Sequence, residues 1–157
     1  MTEISAKVLT VSDGVFFGSR VDTGGAGLVE QLTNAGWAVV EHRVVADGID
    51  SVSAALIEMC ADFAGLVVTT GGTGFTPRDL TPEATRIVIE REAPGIAEAM
   101  RLVNPLGRLS RGLAGIRGTA VVCNTPGSPK GCVEQLGAVL DILPHAVRLL
   151  NTDPTDH

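Results

Sequence analysis

Tyrosine is absent from this sequence, tryptophan occurs once, and the aromatic residues together make up 3 % of it. With so few aromatic faces there is no stacking platform for single-stranded nucleic acid. An excess of positive charge is missing too. The formal net charge is −6, whereas non-specific attachment to a phosphate backbone needs a basic stripe. Nucleic acid is therefore not an expected partner. No apolar run approaches the ~20 residues that cross a bilayer. The opening MTEISAKVLTVSDG has no basic n-region, no long apolar core and no cleavage-like site. The expectation is a cytoplasmic chain with no membrane partner. Cys60, Cys123 and Cys132 lack the CxxC spacing and the neighbouring histidines of a zinc site. They stand in apolar runs and read as reduced, mostly buried thiols. His42 and His145 are isolated and His157 is terminal, so all three are read as structural rather than catalytic.

What is present is the composition of a globular chain: 157 residues, 45 % of them hydrophobic. That length suits a single domain, expected over residues 1–157 with a polar tail from 151. Apolar runs rich in β-branched residues alternate with helix-patterned segments. Residues 6–11, 37–45, 65–70 and 119–124 read as strands, the first and last of them buried. Residues 22–36, 50–61, 81–93 and 96–103 read as helices, followed by a last one from 129 that is interrupted at Pro144. The segment 106–118 is rich in glycine and arginine and reads as a short strand with tight turns. Asp22, Thr81 and Ser128 stand where helix caps belong. The βαβ alternation with near-continuous apolar strands predicts an α/β fold, a mostly parallel sheet with helices on both faces.

Two connections are loaded with special residues, TTGGTGFTPRDLTPEAT (69–85) and TPGSPKG (125–131). Both follow the carboxyl end of an apolar strand and lead into a helix with proline in its first turn, where open α/β sheets bind ligands. Glycines let backbone N–H groups approach an anion, and a helix N-terminus adds unpaired donors. Thr70, Gly71, Gly72, Thr73 and Gly74 therefore read as a cradle for a phosphate or similar anion. A Walker loop is excluded because Gly74 is followed by Phe75 rather than Lys-Ser/Thr, and a dinucleotide fingerprint fails at Pro77. Asp79, beside Arg78 in an anion-friendly loop, suits a Mg²⁺ that carries a phosphate chain. Asp13 and Asp47 also project from strand ends. Read singly, Asp13 and Asp47 favour an ordinary turn role, and Asp79 also suits a capping or turn position. Together they form a candidate metal or general-base constellation.

These stretches resemble the MogA/MoaB family of molybdenum cofactor biosynthesis proteins, related to the G domain of gephyrin. The resemblance rests on Ser12-Asp13, Gly18, Asp22, Gly25, Asp47, the run 69–85, Pro94–Gly95, SRGLAGIRG (110–118) and NTPGSPKG (124–131). It implies a three-layer α/β/α fold around a mostly parallel, mixed sheet, and assembly as a homotrimer. The implied activity is that of a molybdopterin adenylyltransferase, with ATP and molybdopterin as substrates and Mg²⁺ as cofactor. Other molybdenum cofactor biosynthesis proteins are the implied protein partners. The alternative within the family is a non-catalytic molybdopterin carrier of the MoaB type. By the resemblance, Asp79 and Asp47 are catalytic and metal-binding. Thr70 to Gly74, with Ser12 and Asp13, fall on the nucleotide side. Ser110, Arg111, Asn124, Pro126, Gly127, Ser128 and Lys130 fall on the molybdopterin side. At Asp47 the run Ala46-Asp47-Gly48 departs from the family's usual Pro-Asp-Glu or Pro-Asp-Asp.

Overall fold

A computed structural model describes residues 3–152 of the chain. The polar tail expected from 151 lies, beyond Thr152, outside the described residues. Four strands form the parallel part of one sheet: β1 (Ser5–Val11), β2 (Ala38–Val45), β3 (Gly65–Thr70) and β6 (Ala120–Thr125). Two more, β4 (Arg91–Glu92) and β5 (Ala114–Arg117), extend it antiparallel beyond β6. The order across the sheet is β2-β1-β3-β6-β5-β4. It is the mixed, mostly parallel α/β sheet expected.

Both faces are covered, which explains why β3 and β6 are buried at every position. Successive side chains alternate between faces, so Ala6, Val8, Leu66 and Val68 face one core while Leu9, Val11 and Val67 face the other. The first core is roofed by α2 (Thr23–Asn34), α5 (Pro94–Leu102), α6 (Pro129–Gly137) and α7 (Leu143–Asn151), through Leu28, Leu32, Met100, Leu136 and Leu143. The second is roofed by α3 (Ile49–Cys60) and α4 (Thr81–Val88), through Val52, Leu56, Met59 and Val88. Each such side chain contributes roughly 1.5–3 kcal/mol on burial.

Several boundaries differ from the sequence reading. The helix expected over 81–93 ends at Val88, because Ile89 turns extended (φ −72°, ψ 141°) and the chain joins the sheet. Glu90 N–H then donates to Ile116 O, and Ala93 N–H to Ala114 O. A two-residue edge strand of Arg91 and Glu92, both exposed and charged, fits the way sheet edges are blunted. Pro94 opens α5 rather than ending the helix before it. The last helix breaks after Gly137, ahead of Pro144, which lies in the first turn of α7. A one-turn helix α1 (Asp13–Phe16), capped by Ser12, was not legible in the sequence. Residues 105–109 form a 3-10 turn before β5.

Candidate active site

The register aligns Thr10 of β1 with Thr70 of β3, and Thr70 with Thr125 of β6. The loops that follow these strands therefore emerge side by side. They enclose a cleft of about 830 Å³. Its floor is the glycine loop. Gly71 (φ +103°) and Gly72 (φ +71°) occupy the left-handed region, which L side chains avoid. Thr81 shapes this turn. Its Oγ1 donates to Gly71 O at 2.9 Å and its N–H to Gly72 O at 3.0 Å. It is thus not the expected helix cap; Leu80 takes that position without a side-chain bond. Asp22 and Ser128 do cap their helices, accepting from Gly25 N–H and Gly131 N–H. Thr70 Oγ1 donates to Pro126 O at 2.8 Å, tying the two special loops together.

The consequence is a set of open donors. The N–H groups of Gly72, Thr73 and Gly74 find no acceptor among the described residues, and all three residues line the cleft. Buried N–H groups are nearly always paired, so such a row is a ready anion cradle. Beside this loop, Gly127, Ser128 and Lys130 line the same cleft at the mouth of α6, whose N-terminus adds its own dipole.

Carboxylates stand beside the glycine loop. Asp13 and Asp47 are locked reciprocally: Asp13 N–H donates to Asp47 Oδ2 at 2.9 Å, and Asp47 N–H to Asp13 Oδ1 at 3.1 Å. Arg78 clamps Asp13 with Nε on Oδ2 (3.0 Å) and Nη2 on Oδ1 (3.1 Å), and also donates to Asp47 O. The hydrogen bond from Arg78 holds the Asp13 carboxyl below its ordinary value. Asp47 is pushed the other way, first by desolvation and then by the neighbouring charges of Asp13 and Asp79. Asp79 accepts Thr76 N–H on Oδ2 at 2.9 Å.

The three-aspartate constellation is thus only partly assembled. Asp47 and Asp79 line the cleft, whereas Asp13 does not and is already paired with Arg78. Among the described residues no group of three or more His, Cys, Asp or Glu could hold a metal ion. Mg²⁺ is commonly held by only one or two carboxylates together with substrate phosphates and waters. The residues fit that pattern: Asp47 Oδ1 and Asp79 Oδ1 have no partner among the described residues.

The strained carboxylate yields a stability prediction. Asp47→Asn keeps an oxygen for the Asp13 N–H and removes a partly desolvated charge, so it raises stability at pH 7. Because the folded-state pKa is raised, the folded protein holds this proton more tightly than the unfolded chain. The advantage of the variant therefore vanishes as the pH falls through that raised value and Asp47 itself becomes neutral. Urea unfolding at several pH values measures it. Equal midpoints at pH 7 would refute the strain.

Of the residues singled out in the sequence, Ser12, Asp47, Thr70 to Gly74, Asp79, Ser110, Pro126, Gly127, Ser128 and Lys130 line the cleft. Asp13, Arg111 and Asn124 stand behind it. Arg111 buttresses the glycine loop: Nε donates to Gly74 O (2.8 Å), Nη2 to Asp79 O (2.6 Å) and its N–H to Thr73 O (2.9 Å). Glu83 anchors the guanidinium at 2.8 Å. Asn124 is 2 % exposed and fully engaged with Thr69, Thr85 and Leu113 N–H. The cysteines are free and buried, with burial pushing Cys60 up to about 11 and Cys123 up to about 12. His42 lies 3.0 Å from Asp22 Oδ2 and bears on the cap of α2, as a structural histidine would.

Arg20, Asn104, Glu134 and Gln135 also line the cleft but were missed. For Glu134 and Gln135 a signal existed, since they lie one helical turn beyond Lys130 and Gly131 on the same face. For Arg20 and Asn104 there was none.

A domain-family sequence model described as "Probable molybdopterin binding domain" matches residues 7–145. The chain belongs to this molybdopterin-binding family. It is 40 % identical over 157 residues to a molybdopterin adenylyltransferase of Helicobacter pylori, an alignment covering 96 % of this chain and 89 % of the relative. It is 37 % identical to gephyrin of Dictyostelium discoideum over 94 % of its own length, but spans only 22 % of that protein. Among solved structures, the molybdopterin biosynthesis enzyme MoaB of Thermus thermophilus superposes with a TM-score of 0.89 at 45 % identity, covering 96 % of this chain and 98 % of MoaB. The resemblance to the MogA/MoaB family and the α/β fold expected from the sequence both agree with these matches.

Proposed function

We propose that the protein is a molybdopterin adenylyltransferase that moves AMP from ATP to the terminal phosphate of molybdopterin. The observation that carries this is the row of unpaired N–H donors at Gly72, Thr73 and Gly74, with Asp47, Asp79 and the mouth of α6 lining the same cleft. Two phosphorylated substrates need two anion cradles, and the cleft offers two. The name of the Helicobacter pylori relative supports the same reading.

The chemistry requires no protein nucleophile. An oxygen of the pterin phosphate, already anionic at neutral pH, forms a bond to the α-phosphorus of ATP. The bond from that phosphorus to the bridging oxygen breaks, and pyrophosphate leaves with its electron pair. The barrier is the approach of two anions. At 4 Å a pair of like charges costs about 4 kcal/mol at the effective dielectric of a partly wet site. The N–H groups of Gly72 to Gly74 would hold the nucleotide phosphates, with Ser12 and Thr70 beside them. Ser128, Gly127 and Lys130 would hold the pterin phosphate against the positive end of α6. Asp47 and Asp79 would hold Mg²⁺, which when bound neutralises phosphate charge. Arg111 acts through the loop, keeping the N–H groups aimed.

Purified protein, molybdopterin and Mg-ATP should give adenylylated pterin and pyrophosphate in equal amounts, and chelation of the metal should abolish both. Molybdopterin binding without either product would make the protein a carrier and overturn the reading.

A further inference from the structure

One end of the cleft carries chemistry that anion binding does not explain. Glu134 lines it from α6, with Oε2 3.4 Å from Asn104 Nδ2 and Oε1 3.9 Å from Lys130 Nζ. A carboxylate lining a cleft built for phosphates repels them unless a metal or N–H donors answer it. Next to it, Gln135 is 4 % exposed and lines the same cleft, yet its amide makes no hydrogen bond to any described residue. Neither polar atom of that amide is sealed from solvent, so it is open to a ligand entering the cleft. Facing them, the 3-10 turn of residues 105–109 presents Leu106 and Leu109, which are 74 % and 54 % exposed and line the same cleft. Asn104 joins wall and carboxylate, accepting Leu106 N–H while donating to Glu134.

We propose that Glu134 and Gln135 read the lactam edge of the pterin ring while Leu106 and Leu109 cover its face, an assignment that rests on the proposed function. The pterin edge offers two adjacent donors, N3–H and the 2-amino group, and then the C4 carbonyl. A carboxylate accepts from both donors at once, and the amide of Gln135 donates to the carbonyl. Adenine has no such edge. Its amino group is flanked by ring nitrogens that only accept, and those would face the carboxylate lone pair to lone pair. The carboxylate therefore selects pterin over adenine at this end of the cleft and fixes which substrate lies where. With the ring here, its phosphate reaches toward the mouth of α6, where Lys130, 87 % exposed at its side chain, is free to swing onto it.

The test is calorimetric binding of molybdopterin and, separately, of ATP to the parent chain, Glu134→Gln and Gln135→Met, with thermal midpoints as a folding control. Molybdopterin affinity should fall about tenfold in each variant while ATP affinity stays within twofold; in turnover, KM for molybdopterin should rise at little-changed KM for ATP. A purely structural role would weaken both ligands together and lower the midpoint, which overturns the assignment. Loss of ATP affinity alone would place adenine at this end and also overturn it, as would unchanged molybdopterin binding. If the parent chain itself binds no molybdopterin, it is the proposed function that fails, and the subsite with it.

Discussion

Asp79→Asn should lower adenylyl transfer by at least about a hundredfold and leave the folded state intact. The expectation follows from what Asp79 touches. Its Oδ2 accepts the Thr76 N–H at 2.9 Å, a bond an asparagine oxygen can take over, so the loop keeps its shape. Its other oxygen has no partner among the described residues and belongs to the cleft. The substitution therefore removes charge rather than structure. Losing one charged, preorganised contact in such a site costs roughly 2.7–4 kcal/mol of transition-state stabilisation. The loss should fall on kcat, with substrate affinity nearly kept, and raising the Mg²⁺ concentration should recover part of it. Initial rates of pyrophosphate release across a Mg²⁺ series measure both effects. An Asp79→Asn protein that turns over at the parental rate would remove Asp79 from the chemistry.

How far the sequence announces this site depends on whether its residues signal locally. The glycine loop does, because three glycines, two prolines and an aspartate after an apolar strand are more than a turn requires, and Gly71 and Gly72 do hold positive φ. The caps at Asp22 and Ser128 do as well, since a cap bonds three residues ahead. Contacts that span the fold leave no local trace. Arg111 grips the loop across 37 and 32 residues of sequence, and Arg78 reaches Asp13 across 65. Neither partnership can be read from spacing. Asp13 therefore read as a ligand although Arg78 already pairs it, and Arg111 read as a pterin contact although it serves the loop behind the cleft. Thr81 misled for the opposite reason: a hydroxyl before proline is a good local cap signal, yet the tight turn at Gly71 and Gly72 recruits it instead. The truncated α4 follows the same rule. Its helical pattern continues past Val88, but pairing of β4 with β5 removes the last residues into the sheet.

Gly71→Ala should be among the most damaging single-methyl changes in the chain. Gly71 holds φ at +103°, and a Cβ there would lie 2.1 Å from Val11 O, a backbone atom of β1 that cannot swing aside. The residue cannot relax either. Its N–H donates to Thr125 O at 3.1 Å and its carbonyl accepts Thr81 Oγ1 at 2.9 Å, so neighbouring segments fix both sides of it. An L residue held at positive φ costs about 1–2 kcal/mol, and the clash adds more, for a total above roughly 3 kcal/mol. That is a large share of the about 5–15 kcal/mol that holds an ordinary domain together. Gly95→Ala is the matched control. Nothing lies within 4 Å of its added methyl, its φ is not positive, and it sits in the first turn of α5. There alanine should be neutral, or stabilising by up to about 1 kcal/mol. Urea unfolding of both variants decides the matter. A Gly71→Ala midpoint close to that of Gly95→Ala would mean that the loop is free to move. The open N–H groups of Gly72 to Gly74 would then be the accident of a mobile turn, not an anion cradle held ready for phosphate.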